Sequence, residues 1–79
     1  MEKFVDSNFI KNLSIVLYRY RIEHETPRKQ LAVEIGLSLN SITSIENGKT
    51  IPSLETLYKY ANYYNTTISR IIERAESNE

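Results

Sequence analysis

The feature that most constrains this fold is a very short connection between two helix-like segments in the middle of the chain. Gly36 suits the left-handed conformation that ends the first helix, and Ser38 suits the N-cap of the next. The second helix runs to Asn47, and Gly48 closes it. Because so few residues separate the two helices, we expect them to cross sharply instead of lying antiparallel.

The rest of the chain predicts three further helices and no strand. Thr26 is the expected N-cap of the helix before this connection, with Pro27 at its first position, and Ser53 lies at the start of the helix that follows. Connections of a few residues are typical of helix bundles. The apolar faces at helical spacing are Phe9, Ile10, Leu13, Val16, Leu17 and Tyr20 in the first helix, Leu31, Ala32 and Ile35 in the second, Leu54, Leu57, Tyr58, Ala61 and Tyr64 in the fourth, and Ile68, Ile71 and Ile72 in the fifth.

Length and composition place the chain among small one-domain proteins. With 79 residues we expect a single domain over 1–79, with a core of about 9–72 and a polar tail, 73–79, that frays. The lack of cysteine excludes disulfides and thiolate metal sites and agrees with a cytoplasmic protein. The N-terminus lacks the apolar core of a signal peptide, and no apolar run reaches the length of a membrane span, so we expect no membrane association.

Nothing in the sequence supports an enzyme, a metal site or a cofactor. The single histidine, His24, has no second histidine or cysteine with which to bind a metal. A glycine-rich phosphate loop, a nucleophile–base pair and a carboxylate cluster are all missing. Ten basic and ten acidic residues balance to zero net charge, so charge alone does not indicate a nucleic-acid partner.

The outer face of the third helix is polar but uncharged, and this pattern suggests a function. Short uncharged side chains let a helix lie deep in a DNA major groove, where Asn pairs with adenine, Ser and Thr meet donors or acceptors, and Leu contacts a thymine methyl. The alternative is the solvated polar side that any amphipathic helix has. The outward residues are Leu39 at the edge, then Asn40, Thr43, Ser44 and Asn47, opposite Ile42 and Ile45.

Residues 28–57, RKQLAVEIGLSLNSITSIENGKTIPSLETL, resemble the helix-turn-helix domain of the lambda-repressor-like family of phage repressor, Cro and XRE regulators. The shared pattern is L-A, three residues, G, one residue, S, then I-x-x-I-E-N-G-K and P-S-L, and it extends loosely over residues 9–72. The resemblance implies an all-α, compact five-helix bundle that regulates transcription, for example as a repressor, in a bacterial or phage-encoded cytoplasmic protein. It also implies a homodimer that binds a palindromic operator in double-stranded DNA, with helix three in the major groove.

The resemblance also assigns roles to individual positions. Arg21 and Glu46 match an ion pair between helices one and three, and Glu25 stands where the family usually has a glycine. Base-contacting positions are Leu39, Asn40, Thr43 and Ser44. Phosphate-contacting positions are Arg28, Lys29, Ser41, Asn47 and Lys49, and the helix N-termini near Arg28 and Ser41 can offer backbone N–H groups as well.

The six tyrosines divide between the predicted core and the predicted surface. Tyr58 and Tyr64 belong to the apolar face of helix four, so we expect them in the core. Tyr60, Tyr63 and Thr66 are expected at a dimer interface, because aromatic residues are enriched there, although a solvated tyrosine is the alternative. A second interpretation of the whole chain is a protein-interaction module, such as an antitoxin or antirepressor. Such a module would bind a protein partner through Tyr60, Tyr63 and the C-terminal helix.

Overall fold

The structure, a computed structural model, describes residues 7–77, and that range consists of five α-helices with no strand. This confirms the predicted all-α fold. None of the helices in the described range is long and apolar enough to cross a membrane. The helices are α1 (Ser7–Glu23), α2 (Arg28–Ile35), α3 (Leu39–Glu46), α4 (Leu54–Tyr63) and α5 (Ile68–Glu76).

Local capping explains where three of the helices begin. The hydroxyl of Ser38 accepts the backbone N–H of Ser41 at 3.0 Å, and the hydroxyl of Ser53 accepts that of Thr56 at 3.1 Å. Thr67 caps α5 in the same way. Each contact satisfies one of the N–H groups that a helix start leaves without an intrahelical acceptor.

The two glycines end α2 and α3 in the left-handed conformation, as the sequence predicts. Gly36 and Gly48 both have a φ of 73°. After Gly36, the N–H of Leu37 returns to the carbonyl of Ala32 at 2.9 Å, which satisfies one of the last carbonyls of α2. Three residues, 36–38, therefore connect α2 to α3.

The start of α2 differs from the prediction. Pro27 occupies the cap position instead of the first helical position, and α2 has no side-chain cap. Thr26, the predicted cap, is buried, and its hydroxyl donates to the carbonyl of His24 at 3.3 Å. Its carbonyl accepts from Arg21 Nη1 at 3.1 Å, so contacts with α1 hold Thr26 inward. Glu25, in the place of the family's glycine, adopts a left-handed φ of 52°.

The core face of α4 is only partly the one predicted from the sequence: Leu57, Ala61 and Tyr64 are buried as predicted, but Leu54 and Tyr58 are not. Tyr58, predicted in the core, is 59% exposed, and Leu54 is 70% exposed. Tyr60, predicted at the surface, is fully buried. Both sets of residues satisfy helical spacing, but only one register meets α5 and the rest of the core. That register is Leu57, Tyr60, Ala61 and Tyr64.

The predicted fraying of the tail is wrong for the part that lies within the described residues. Helix α5 continues through Glu76, and Ala75 is fully buried in the core. Arg74 pairs with Glu23 at 3.2 Å and lies over the ring of Tyr20, 4.6 Å from its centroid. These contacts with α1 hold the last turn in place, while residues 78–79 of the predicted tail lie outside the described range.

Candidate nucleic-acid interface

Helix α3 is anchored by its inner side and free along its outer side. Ile42 and Ile45 are buried in the core. The four residues predicted to contact bases share the opposite side, with Leu39 and Asn40 exposed and Thr43 and Ser44 half-buried. Asn40 and Ser44 also line a shallow groove between α3 and the start of α4. None of the four is packed inside the fold, so their predicted role stays open to test.

Ser41, predicted to contact phosphate, also takes part in the cap of α3. The backbone N–H of Ser41 donates to the Ser38 hydroxyl, and that hydroxyl in turn donates to Ser41 Oγ at 2.9 Å. The N–H of Ser41 is therefore engaged within the helix start. The phosphate contact of Ser41 stays a prediction, and the donor it would use is the Ser41 hydroxyl.

The buried carboxylate of Glu46, at the end of α3, joins α3 to α1 and α2. Glu46, whose side chain is 1% exposed, accepts hydrogen bonds from Arg21 Nε and Nη2, the latter at 2.9 Å. This is the ion pair that the resemblance implied. Its hydrogen bond with Glu46 raises the pKa of the Arg21 guanidinium, and the pair links α1 to the last turn of α3.

The same carboxylate also binds Arg28, a contact that was not predicted from the sequence. Arg28 Nε donates to Glu46 Oε1 at 3.0 Å, while 41% of the Arg28 side chain stays exposed. Two arginines therefore share one buried carboxylate, so the cluster has a net positive charge. The exposed residue of the cluster is Arg28. Arg28 is also the first residue of α2, whose N–H groups have no side-chain cap. Uncapped N–H groups beside a cation are a favourable site for an anion.

The predicted phosphate contacts divide between two grooves beside α3. Arg28 and Lys29 line one groove together with Leu39, and Arg28 also reaches Glu46 in the last turn of α3. Asn47 and Lys49, which follow α3, line the other groove. An eight-residue helix is roughly 12 Å long, so both groups lie close to its outer face. We call them the Arg28 group and the Lys49 group.

The Lys49 group contains one cation that the sequence analysis missed. Lys11, from the first half of α1, lines the same groove as Asn47 and Lys49. Its position on the solvent side of α1 was evident from helical periodicity, but nothing local indicates which distant loop it lies beside. Only the packing of α1 against the end of α3 reveals the association.

The residues predicted at a dimer interface are only partly available. Tyr60 is fully buried and cannot contact a partner, so that prediction is wrong: its side chain fills the core side of α4. Tyr63 is half-buried, and its hydrogen bond with Glu34 raises the pKa of its hydroxyl. Thr66 is half-buried, with its hydroxyl 3.4 Å from that of Tyr20. For Tyr63 and Thr66 the interface role stays a prediction.

The remaining titratable side chains offer no metal site within residues 7–77. No group of three or more His, Cys, Asp or Glu side chains there is arranged to hold a metal ion. His24 is exposed, and its Nδ1 lies 2.8 Å from the carbonyl oxygen of Tyr20.

Comparison with known proteins gives one consistent family. A helix-turn-helix family model matches residues 17–71. The chain is 31% identical over 58 residues to the cryptic phage CTXphi transcriptional repressor RstR of Vibrio cholerae, and the match covers 73% of this chain and 52% of that one. It is 36% identical over 52 residues to an HTH-type transcriptional regulator of Methanocaldococcus jannaschii, and this match covers 66% of this chain and 79% of that one.

A solved structure has the same fold. The crystal structure of the clp gene regulator ClgR from Corynebacterium glutamicum superposes with a TM-score of 0.81 at 17% identity, over 87% of this chain and 73% of that one. At that identity the likeness concerns the fold alone. This chain spans about half the length of the Vibrio repressor, with 52% of that protein matched. Because the family model covers most of the sequence, the chain belongs to the XRE-type helix-turn-helix family of transcriptional regulators.

Proposed function

We propose that the chain binds double-stranded DNA sequence-specifically and regulates transcription, as a homodimer on a palindromic operator. The observation that carries the proposal is the outer face of α3. Its side chains are short and uncharged, Ile42 and Ile45 hold it outward, and cations line two grooves beside it. The similarity to a named phage repressor supports repression as the direction of control.

Within this proposal, α3 reads sequence and the two cationic groups hold the phosphate backbone. Asn40 suits bidentate hydrogen bonds with adenine N6 and N7, and Leu39 suits contact with a thymine methyl. The Arg28 group and the Lys49 group supply sequence-independent contacts, to which we add Lys11. Glu46 holds the Arg28 guanidinium in place without facing the DNA, because its carboxylate is buried under both arginines.

The proposed dimer sets the geometry of the operator. Two recognition helices in successive major grooves on one side of the duplex place the half-site centres about one turn apart, roughly 10 base pairs. With three to four cationic phosphate contacts in each subunit, log K should fall against log salt concentration with a slope of about −5 to −7.

Selection of bound duplexes from a random pool tests the proposal directly, because it reports motif, symmetry and half-site spacing together. We expect an enriched palindrome whose centres are about one helical turn apart. The Arg28→Ala variant should bind every duplex more weakly by a similar factor and leave the enriched motif unchanged. A pool without any enriched motif, together with a salt slope near zero, would contradict sequence-specific DNA binding.

A second candidate function is binding to a protein partner, as in an antitoxin or antirepressor. The observation that favours it is a row of exposed apolar residues on α1, formed by Ile15, Tyr18 and Ile22. The i, i+3, i+7 spacing of these residues puts them on one side of the helix. The surface predicted from the sequence is less suitable, since Tyr60 is buried. Under this candidate, substitution of Ile15 by Ala should weaken partner binding in a two-component assay and leave DNA selection unaffected, because Ile15 lies outside the groove of the Arg28 group.

A further inference from the structure

Three exposed apolar side chains follow α3 and lie on or just before α4. Ile51 is 54% exposed, Leu54 is 70% exposed and Tyr58 is 59% exposed. Leu54 and Tyr58 are four residues apart, which places them on one side of α4, whereas Ile51 lies in the loop before the helix. We call Leu54 and Tyr58 the α4 strip. Large apolar side chains grouped at the surface are typical of protein contacts.

An acidic and a basic residue, Glu55 and Lys59, lie beside the α4 strip. Glu55 lies near the start of the helix and Lys59 lies one turn later. Their side chains are 3.9 Å apart within one chain, and that of Glu55 is 80% exposed. An exposed pair at this distance contributes little to stability, so both charges remain available to other partners.

We propose that the α4 strip is the contact surface for a second copy of this chain, with the two α4 helices packed antiparallel across a two-fold axis. This deepens the proposed function and rests on its dimeric form. A two-fold axis across the pair brings residue i of one subunit opposite residue j of the other, and j opposite i. Reversal of direction puts Leu54 against the partner's Tyr58, and Glu55 against the partner's Lys59.

The charge pattern is what selects a second copy over other occupants. A surface that binds DNA or an anionic membrane needs an excess of positive charge, whereas the α4 strip is flanked by one acid and one base. The order acid then base, one turn apart, complements itself when the helix direction is reversed, so a second copy meets this surface with matching charges, and the aromatic side chain of Tyr58 suits an interface.

The first test is sedimentation equilibrium of the full chain with one charge placed in the α4 strip. Leu54→Asp should raise the dissociation constant of the dimer about tenfold or more, because it buries an unpaired carboxylate against the partner's Tyr58. The matched control is Val33→Asp, which changes an exposed apolar residue of α2 outside the α4 strip. It should leave the dissociation constant unchanged. Circular dichroism of both variants establishes that each remains folded.

The second test reverses the two charges. Glu55→Lys and Lys59→Glu should each weaken the dimer, because like charges then face each other across the axis. The double variant restores opposite charges at both symmetric positions and should return the dissociation constant to within about threefold of the wild type. The proposal is overturned if the double variant dissociates as much as the single ones. It is also overturned if Leu54→Asp has no effect, if Tyr63→Ala dissociates the dimer in its place, or if the wild type stays monomeric both in solution and on a duplex with two half-sites.

A duplex with a single half-site separates failure of this interface from failure of the proposed function. Leu54→Asp should bind that half-site like the wild type and lose only the tighter binding to the full palindrome. A variant that still dimerises and binds the palindrome overturns the interface and leaves the function standing. Loss of the dimer as expected, with no duplex bound by any variant, supports the interface and contradicts the function.

Discussion

Helices α3 and α4 begin in almost the same way and present very different outer faces. Each starts at a serine whose hydroxyl accepts the N–H three residues later and also bonds the hydroxyl of that residue. Each is held to the core by its inner apolar residues. Outside, α3 has short uncharged side chains, whereas α4 has large apolar ones beside Glu55 and Lys59. The comparison teaches that capping determines where a helix starts, and its outer residues determine what it can bind.

The largest expected effect concerns the anchor of α3. Replacing Glu46 by Ala should lower the free energy of unfolding by about 3–5 kcal/mol, because it leaves Arg21 buried without its partner. The matched control, Glu55→Ala on α4, should lower it by less than about 0.5 kcal/mol, since that carboxylate is exposed. Urea titration at a concentration that keeps the chain monomeric measures both. Equal losses would mean that Glu46 does not anchor α3.

The next effect compares one exposed asparagine on each helix. Asn40→Ala should weaken operator binding by about 1–3 kcal/mol and relax the preference at one base pair, because it removes a bidentate contact with adenine. Asn62→Ala makes the same change on the outer side of α4. It should leave the sequence preference as it is. Binding to a library of single-base operator variants measures the two profiles, and overlapping profiles would contradict base recognition by α3.

The two serine caps offer a subtler comparison. Ser38→Ala and Ser53→Ala should each lower the free energy of unfolding by about 1 kcal/mol, since each removes one acceptor at a helix start. Their effects on DNA should differ. Loss of the α3 cap should weaken operator binding beyond the effect of stability, whereas loss of the α4 cap should not. Titrating the operator at a temperature where both variants are folded separates the two quantities.

The smallest effect compares two tyrosines on opposite sides of α4. The Tyr60 hydroxyl is buried without a hydrogen-bond partner among the described residues. Tyr60→Phe should therefore raise the free energy of unfolding, by under about 1 kcal/mol at neutral pH. Tyr58→Phe, at an exposed position, should leave it unchanged. A loss of stability in Tyr60→Phe would show that the hydroxyl has a partner.

Tyr60 and Tyr58 should also differ in how they affect the stability of the chain at alkaline pH. Burial raises the pKa of Tyr60 above its ordinary value. The folded chain then keeps a phenolic proton that the unfolded chain loses above about pH 10, so the stability falls as the pH rises past that value. Tyr60→Phe should reduce this fall, and Tyr58→Phe should not. Thermal unfolding of both variants between neutral and strongly alkaline pH measures the difference.

Local signals accounted for most of the fold and for the position of the recognition helix. Ser38 and Gly48 were identified from the sequence because capping and left-handed turns depend on neighbouring residues only. The start of α2 was misjudged because Thr26 is held by Arg21, a residue of the preceding helix. The hydrogen bond from Arg28 to Glu46 was missed because it depends on how α2 packs against α3, whereas the pair of Arg21 and Glu46 was expected from the family resemblance.

The sequence by itself determined that this chain is a bundle of short helices, where most of them begin and end, and that it belongs to the helix-turn-helix family. Only the tertiary structure decided that Tyr60 faces the core and Tyr58 the solvent, and that Lys11 lies beside Lys49. The physical reason is that successive residues turn by about 100° around a helix, so two apolar registers of α4 both satisfy the periodicity. The neighbours against which each helix packs choose between them, and those neighbours are distant in the chain.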